Sequence, residues 1–486
     1  MPGKEYHLAS ALQAESGTCR IVLPRSNGAE LLLVARGTHL ALPSVEIPRW
    51  CRVAEQISAA VKNRWGLEAY CLFTPEFATP SHGVPHLQYQ VIESCRPNQA
   101  PPAGTYWVPL ALLSENSLET PEDLPAIKES LLELEAYTKG WKPGPFGKTG
   151  WLRGLTDWIQ EQIDPLGFRL TGRFRQLNAS PTFSLIRFET DGPPLWFKAV
   201  GEPHVREFPI AVELAQLFPG FVPRVVATRP EWNAWLSAEA EGVHLDERSD
   251  LAAWTTAAEA LAQLQFASFG QALHLFDAGC KDARIVSLAD RVDPFIEVMA
   301  NLMDQQTKVS PAPLPRQDLL ALGDRIKRSL DAFEELTIPN ALGHLDCNPG
   351  NILVAGNQCV FLDWAEACVG QPFVTFQYLL EHLRRLRPKE TSWEAVLTGN
   401  YTRIWQCLVS PGDTARALAL SPLVAAFAFA VLSIDWNDPA TRQDSAKAAY
   451  LRSVTRRMQR EAKRVEVAAE SVVMPLALGD KCAGLP

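Results

Sequence analysis

A two-residue turn, Gly356-Asn357, separates the apolar runs "NILVA" and "CVFLDW". Glycine-asparagine between two β-prone runs favours a tight hairpin. Closing it brings Asn351, at the start of the first run, beside Asp363, near the end of the second. Upstream, "GHLDCNPGN" adds His344 and Asp346 in the spacing H-x-D-x-x-x-x-N. Polar side chains in so apolar a stretch cost free energy unless they pair or hold a ligand. An amide oxygen beside a carboxylate suits a hard cation, because magnesium takes oxygen ligands and keeps water or phosphate oxygens as the remainder. Asp346, on the loop, is then free to accept a proton from an attacking hydroxyl. A metal that spreads charge and a carboxylate that orients a nucleophile are the parts phosphoryl transfer needs. The competing reading is a loop whose polar residues only cap one another.

The 486 residues allow roughly two to four domains of ordinary size. Apolar residues make up 47%, enough for packed cores. A net charge of −9 argues against duplex nucleic acid, which asks for a basic face. The ten cysteines form no C-x-x-C pair, so neither a disulfide framework nor a zinc spacing is expected. A reducing, cytoplasmic setting is expected instead. "MPGKEYHLASALQAES" has no charged segment leading into an apolar run, so no signal peptide is expected. The most apolar stretch, Ala417 to Ile434, carries Pro422 and two serines and is read as a buried core helix rather than a membrane span.

"KGWKPGPFGKTG", residues 139–150, has four glycines and two prolines and reads as a linker. Before it, "TPEDLPAIKESLLELEAY" offers Thr120 as cap, Pro121 at the first helical position and Asp123 at the positive end. Ile127, Leu131 and Leu134 give that helix one apolar stripe, and it should end near Tyr137. After the linker comes an amphipathic helix, "WLRGLTDWIQEQI". The strand-like runs "FRLTGRFRQLN", "TFSLIRFET", "PLWFKAVG", "PRVVATRP" and "WNAWLSAEAEG" follow. From about Leu251 the pattern is helical, interrupted only around Leu342 to Trp364. A small sheet followed by a larger helical part implies an α+β, two-lobed domain. The division is 1–138, a first domain; 139–150, a linker; 151–460, the two-lobed domain; and 461–486, a tail. "YLRSVTRRMQREAKRVEVAAE" is a basic amphipathic helix, read as a solvated surface, and the chain after Val472 has no period.

The stretch Leu342 to Trp364 resembles the catalytic loop of aminoglycoside and choline phosphotransferases, relatives of the protein kinases. The resemblance implies Asp346 as catalytic base, Asn351 as a magnesium ligand and Asp363, in "LDW", as the metal-binding aspartate. It implies His344 as a brace for the loop. Where the family often continues with a glycine-aspartate pair and a further aspartate, this chain has "VGQPFVTFQYLLEHL", with Gln371 and Thr375 there. A protein-kinase-like small lobe is implied as well. In it Lys198, from "LWFKAV", grips the α- and β-phosphates of ATP. Its partner comes from "VREFPIAVELAQLF", which offers Glu207 and Glu213. Glu207, on the side of Ile210 and Leu214, is the choice, and Pro209 requires the helix to start near Val205. The phosphate-covering turn is "RQLNASPTFS", which lacks glycine and offers the hydroxyls of Ser180 and Thr182. Backbone groups of about Ser237 to Glu239 should read adenine. The cofactors implied are ATP and Mg2+. The acceptor is a hydroxyl of a small molecule, with Glu366, Glu381, Asp435 and Asp438 as acids for a cationic one.

The first domain has a strand, "LALP", a helix, then "GL" before another strand. This order resembles a Nudix domain, an α/β fold whose helix carries several glutamates that hold magnesium. Here Ala59, Ala60, Asn63 and Arg64 stand at four of those places and Cys51 at the first, with Glu46 and Glu55 nearby. A degenerate, catalytically silent domain is expected. Two classes of function follow. One is an enzyme that moves the γ-phosphate of ATP to a small molecule. The other is a pseudokinase-like regulator that holds nucleotide without turnover, which the glycine-free turn favours.

Overall fold

The structure, a computed structural model, describes residues 16–25, 28–48, 52–78, 88–96 and 99–473. Cys51 and the tail after Val473 lie outside these. The chain divides into two compact units, Met1–Phe208 with Arg224–Glu239, and Pro209–Pro223 with Ala240–Pro486.

The first unit holds three sheets. In the N-terminal part, the strands Ser16–Val22, Ser44–Pro48, Ala69–Phe73 and Gln88–Ser94 form a four-stranded sheet whose only parallel pair is Ser16–Val22 with Gln88–Ser94. Glu30–Arg36, His39–Ala41 and Thr105–Pro109 form a second, antiparallel sheet. The helix Val53–Trp65 follows Ser44–Pro48 and is closed by Gly66 in the left-handed conformation, φ 65°. Strand, helix and strand thus fall in the order read from the sequence. The helix Asp123–Thr138 begins later than the capping residues imply. Thr120 and Pro121 form a turn ahead of it. Asp123 is buried because it pairs with Arg20 and accepts a bond from the Tyr89 hydroxyl at 2.7 Å. An acid expected to face the helix dipole in solvent is instead an internal anchor.

The five remaining strands of this unit are Leu170–Ala179, Ser184–Thr190, Leu195–Ala199, Val225–Arg229 and Ala234–Ala238. They form one antiparallel sheet, with Leu195–Ala199 in the middle. Alternation explains it: Ile186 and Phe188, then Leu195 and Phe197, point to one side and are buried. They join Leu155, Ile159 and Ile163 of the helix Trp151–Ile163 in a core that also takes in Leu72, Val91 and Leu134 of the N-terminal part. Residues 139–150 are irregular in backbone, yet Phe146 is fully buried, edge-on to Trp151 at 5.0 Å and to Trp232 at 5.4 Å.

The second unit is mostly helical. The helix Pro411–Leu432 is long and apolar enough to cross a membrane, with a mean hydropathy of 1.9, but 61% of its apolar window is buried within the protein. Phe427 packs edge-on to Phe295, and Leu423, Val424 and Ala430 are buried in the same core. The long helix Ser445–Val473 spends its arginines internally. Arg457 pairs with Glu381, Arg456 bonds Gln306, and Arg452 reaches the Leu302 carbonyl at 3.2 Å. The basic face read as solvated is largely committed to packing.

Two small sheets are set among the helices. Val243–His244, Ile352–Ala355 and Gln358–Phe361 form one; Lys281–Ala283, Ala341–His344 and Ala367–Gly370 form the other. The second fixes the strand that leads into Asp346. Ala341–His344 runs antiparallel to Ala367–Gly370. Toward the helices, the Leu342 N–H bonds the Ser268 hydroxyl at 2.8 Å and the His344 N–H bonds the Thr375 hydroxyl at 3.1 Å. A side chain on Gly343 would stand 2.8 Å from both Cys368 Sγ and Thr375 Oγ1, so the close approach requires glycine.

Candidate active site

The hairpin closes at Gly356, φ 57°, with Ile352 opposite Phe361 and Ala355 opposite Gln358. One further bond, Leu362 N–H to the Asn351 carbonyl at 2.8 Å, extends the ladder past the strands. The residue after Leu362 is Asp363. Asn351 lies in a 3-10 turn, Pro349–Asn351, just before the strand rather than in it. Asn348 starts that turn by accepting the Gly350 N–H on its side chain at 3.0 Å.

Asp346 stands on the same loop. The Asn351 amide nitrogen lies 3.3 Å from the Asp346 carbonyl and 3.4 Å from its carboxylate. With the nitrogen engaged there, the amide oxygen is left to accept a cation. Together with the Asp363 carboxylate this is a set of hard oxygen donors, and it fits magnesium. Asp363 adopts the left-handed conformation, φ 61°. Aspartate tolerates that region better than most residues, at a cost of about 1–3 kcal/mol for a non-glycine position.

His344 fastens the loop at two points. Its Nδ1 accepts the Asp346 N–H at 3.2 Å, and its Nε2 meets the Leu362 carbonyl at 3.1 Å. The pair of bonds fits the tautomer protonated on Nε2. Its ring lies 4.8 Å from that of Trp364. One imidazole thus links the residue next to Asp363 to the backbone of Asp346. Thr375 adds the support to His344 described above, and Gln371 bonds the Ile338 carbonyl at 3.2 Å. These two residues, which depart from the family pattern, are both framework.

Burial pushes the Asp346 carboxyl above the usual aspartate range. The neighbouring Asp363 and Glu366 carboxylates push the same way, while His344 and the Asn351 amide pull it down. A raised carboxyl is a better proton acceptor than a surface aspartate.

In the first unit, Lys198 pairs with Glu207. Their side chains are 17% and 4% exposed, so this is an internal pair and not a surface one. Lys198 stands opposite Trp235 on the next strand and has its ammonium 5.7 Å from that ring. Glu207 opens the helix Glu207–Leu217, where a carboxylate meets the positive end of the dipole. Pro209 falls in its first turn. We expect Lys198→Ala and Glu207→Ala to be non-additive in kcat/KM for ATP, with a coupling of about 0.5–3 kcal/mol, because each loses the same pair. Additive losses across the four proteins, or a larger loss from Glu213→Ala, would dissolve the assignment.

The turn between Leu170–Ala179 and Ser184–Thr190 holds Ser180 and Thr182. Ser180 Oγ accepts the Phe183 N–H at 3.0 Å, and the Ser180 N–H bonds the Phe183 carbonyl at 2.9 Å. A side chain at Gly201 would lie 2.3 Å from Thr182 Oγ1, so Thr182 packs against the segment that follows Leu195–Ala199. The turn is therefore rigidified by serine where glycine is absent. Ser237 to Glu239 differ from the sequence reading in one respect. The N–H groups of Ala238 and Glu239 already bond the carbonyls of Arg224 and Pro194, both at 2.9 Å. A base is then read here through carbonyls, or by backbone beyond Glu239.

The acids read as receivers of a cationic acceptor are mostly engaged. Glu366 pairs with Lys281 at 2.6 Å and accepts the Ser433 hydroxyl at 2.8 Å, while Lys281 also bonds the Leu432 carbonyl at 2.8 Å. Glu381 is paired with Arg457, and Asp438 caps the helix Pro439–Gln443. Lys281 was missed from the sequence because nothing local marks a three-residue strand as neighbour to residues 85 positions away.

In the N-terminal domain, Ala59, Ala60, Asn63 and Arg64 all lie on the helix Val53–Trp65. Glu55 pairs with Arg175, Glu46 accepts the Thr18 hydroxyl, and Arg64 bonds the Ser44 carbonyl at 2.7 Å. Among the described residues, no three His, Cys, Asp or Glu side chains are grouped to hold a metal ion.

Residues 206–401 match the model of the phosphotransferase enzyme family, APH. The match contains Glu207, Asp346, Asn351 and Asp363, and the resemblance read from the catalytic loop is borne out. The five-stranded sheet and the helical unit are the small and large lobes of a protein-kinase-like fold. No curated protein matches the chain. Among solved structures, the chain is similar to a macrolide 2'-phosphotransferase of Brachybacterium faecium, with 18% identity and a TM-score of 0.40, over 61% of this chain and 97% of that one. It is also similar to the choline kinases of Streptococcus pneumoniae and Cryptosporidium parvum. The first has 12% identity and a TM-score of 0.41 over 65% of this chain and 99% of that one. The second has 12% identity and a TM-score of 0.44 over 67% and 98%.

Proposed function

We propose that the protein transfers the γ-phosphate of ATP to a hydroxyl group of a small molecule. The observation that carries this reading is the grouping of Asp346, Asn351 and Asp363 at the open end of one hairpin. Asp346 accepts the proton of the acceptor hydroxyl, Asn351 and Asp363 hold Mg2+, and Lys198, kept extended by Glu207, binds the α- and β-phosphates. Magnesium, when bound, spreads the charge of the transferring phosphoryl group. Ser180 and Thr182 supply hydroxyls to the phosphates. The division into a Nudix-like domain over 1–138, a linker, a kinase-like domain over 151–460 and a tail, and a cytoplasmic setting, belong to the same proposal.

The acceptor is proposed to carry little charge. Glu366 is balanced by Lys281 and Glu381 by Arg457, so neither is left to attract a polycation. The test is a transfer screen of the full chain with ATP and magnesium against sugars, amino alcohols and aminoglycosides. We expect turnover with a neutral or singly charged hydroxyl compound. Preference for aminoglycosides would overturn the acceptor reading. ATP binding without transfer to any of them would favour the second reading, a pseudokinase-like regulator, which the glycine-free, internally bonded turn at Ser180 supports.

A further inference from the structure

The first unit contains a cavity of about 410 Å³ that the phosphotransfer reading does not use. One wall comes from the N-terminal domain: Val53 and Ala54 at the start of its helix, and Cys71, Thr74 and Gln90 from its sheet. The other comes from the turn proposed to cover phosphate: Asn178, Ser180 and Phe183. The volume is in the range of small-molecule sites, ~300–1,000 Å³.

The backbone around the cavity departs from regular pairing on both sides. The N-terminal sheet changes register between Cys71 and Phe73, and the small-lobe sheet between Gln176 and Asn178. Such bulges bend a strand and re-aim its side chains. The buried Gln176 amide joins the two, accepting the Cys71 N–H at 2.7 Å and donating to the Cys71 carbonyl at 3.0 Å. Cys71 and Asn178, at these two irregularities, both line the cavity, on opposite walls.

The chemistry of the walls selects the occupant. No residue lining the cavity is charged, so an ionic ligand would lose hydration with nothing to replace it. Thr74 donates to the Gln90 amide oxygen at 3.0 Å, which orients that buried amide. Asn178 adds a second amide, and side-chain amides read molecules that present a donor beside an acceptor on one edge. Phe183 supplies an aromatic ring, and Val53, Ala54 and Ala179 an apolar floor.

We propose that this cavity is a regulatory site for an uncharged, planar, hydrogen-bonding heteroaromatic of nucleobase or nucleoside size. Occupancy acts on the turn because the turn is one of the walls. The site rests on the wall chemistry alone; its effect on catalysis rests on the phosphate-covering role of Ser180 and Thr182.

The test is calorimetry of the full chain with adenosine, guanosine, cytidine and uridine, without ATP. At least one should bind with one site per chain. Ala54→Leu, which fills the cavity, should weaken that binding by about tenfold or more. Thr74→Val, which keeps the shape and removes one hydroxyl, should weaken it about three- to tenfold. The second variant keeps the test decisive if the first misfolds. The bound nucleoside should also shift the KM for ATP of the wild type and not of Ala54→Leu. The inference is overturned if none of the four binds, or if binding persists at full strength in both variants. Binding lost in the variants of a protein that transfers no phosphate supports the site and removes only the enzymatic reading.

Discussion

Asp346→Asn should lower turnover by ~10² to 10⁴-fold, the range for loss of a positioned general base, while leaving ATP affinity near that of the wild type. Asn keeps the size of the side chain and an oxygen for the Asn351 amide, which stands 3.4 Å away. What it removes is the ability to take a proton. The loop should survive, because its fastening runs through the His344 ring and the backbone of residue 346. Steady-state rates and ATP calorimetry on the two proteins separate chemistry from binding. Wild-type turnover in Asp346→Asn would remove the residue from the mechanism.

The same substitution should change stability in a direction opposite to activity. Burial, with Asp363 and Glu366 alongside, raises the Asp346 pKa above its ordinary value of 3.8. For a carboxyl raised on folding, the folded state binds the proton more tightly than the unfolded one. Its contribution is fully present below the unfolded pKa and is lost as pH rises through the folded one. At neutral pH the wild type therefore holds an ionised group where a neutral one would be more stable. Without metal, Asp346→Asn should melt higher than the wild type at pH 7, and the difference should vanish near pH 3.8, where both are neutral. A base held ready for a proton is here a local cost to the fold.

Local chemistry decided what could be read in advance. The hairpin was legible because its turn residues and alternation lie within ten positions, and its ends carry the functional groups. The Lys198–Glu207 pair was legible because a strand lysine and a helix period both leave a trace. The sheet Lys281–Ala283, Ala341–His344 and Ala367–Gly370 left none: its strands are three or four residues long and Lys281 meets residues 368 to 370 only in space. The Gln176 clamp was invisible for a related reason, since a glutamine side chain stands in for a strand 105 residues away. Asp123 misled in a different way. Its place near a helix start matched a dipole argument, and Arg20, far away in sequence, turned it inward. At the hinge, the readable feature was its position after the last strand. Which of its N–H groups were already spent depended on Arg224 and Pro194.

Asp363→Asn should weaken magnesium-dependent ATP binding by ~10² or more, since loss of groups that only support a metal ligand already costs about 10–100-fold. This is a different signature from that of Asp346. A group that ligates the ion acts in the ground-state complex as well as in the transition state, so affinity falls together with rate. The choice of Asn follows from the backbone. Residue 363 sits at φ 61°, and asparagine tolerates the left-handed region about as well as aspartate does. Asp363→Ala would add backbone strain to the loss of the carboxylate and confuse the two effects. The Leu362 N–H to Asn351 bond and the His344 contact at the Leu362 carbonyl do not involve the 363 side chain, so the hairpin end should hold its form. Calorimetry with ATP should give a large difference between magnesium and chelator in the wild type and almost none in Asp363→Asn. If the magnesium dependence persists unchanged, the ion is held elsewhere and Asn351 loses its assigned role with Asp363. If it disappears in Asp363→Asn but persists in Asp346→Asn, the two aspartates, both half-buried and electrostatically linked, divide into one that binds and one that reacts.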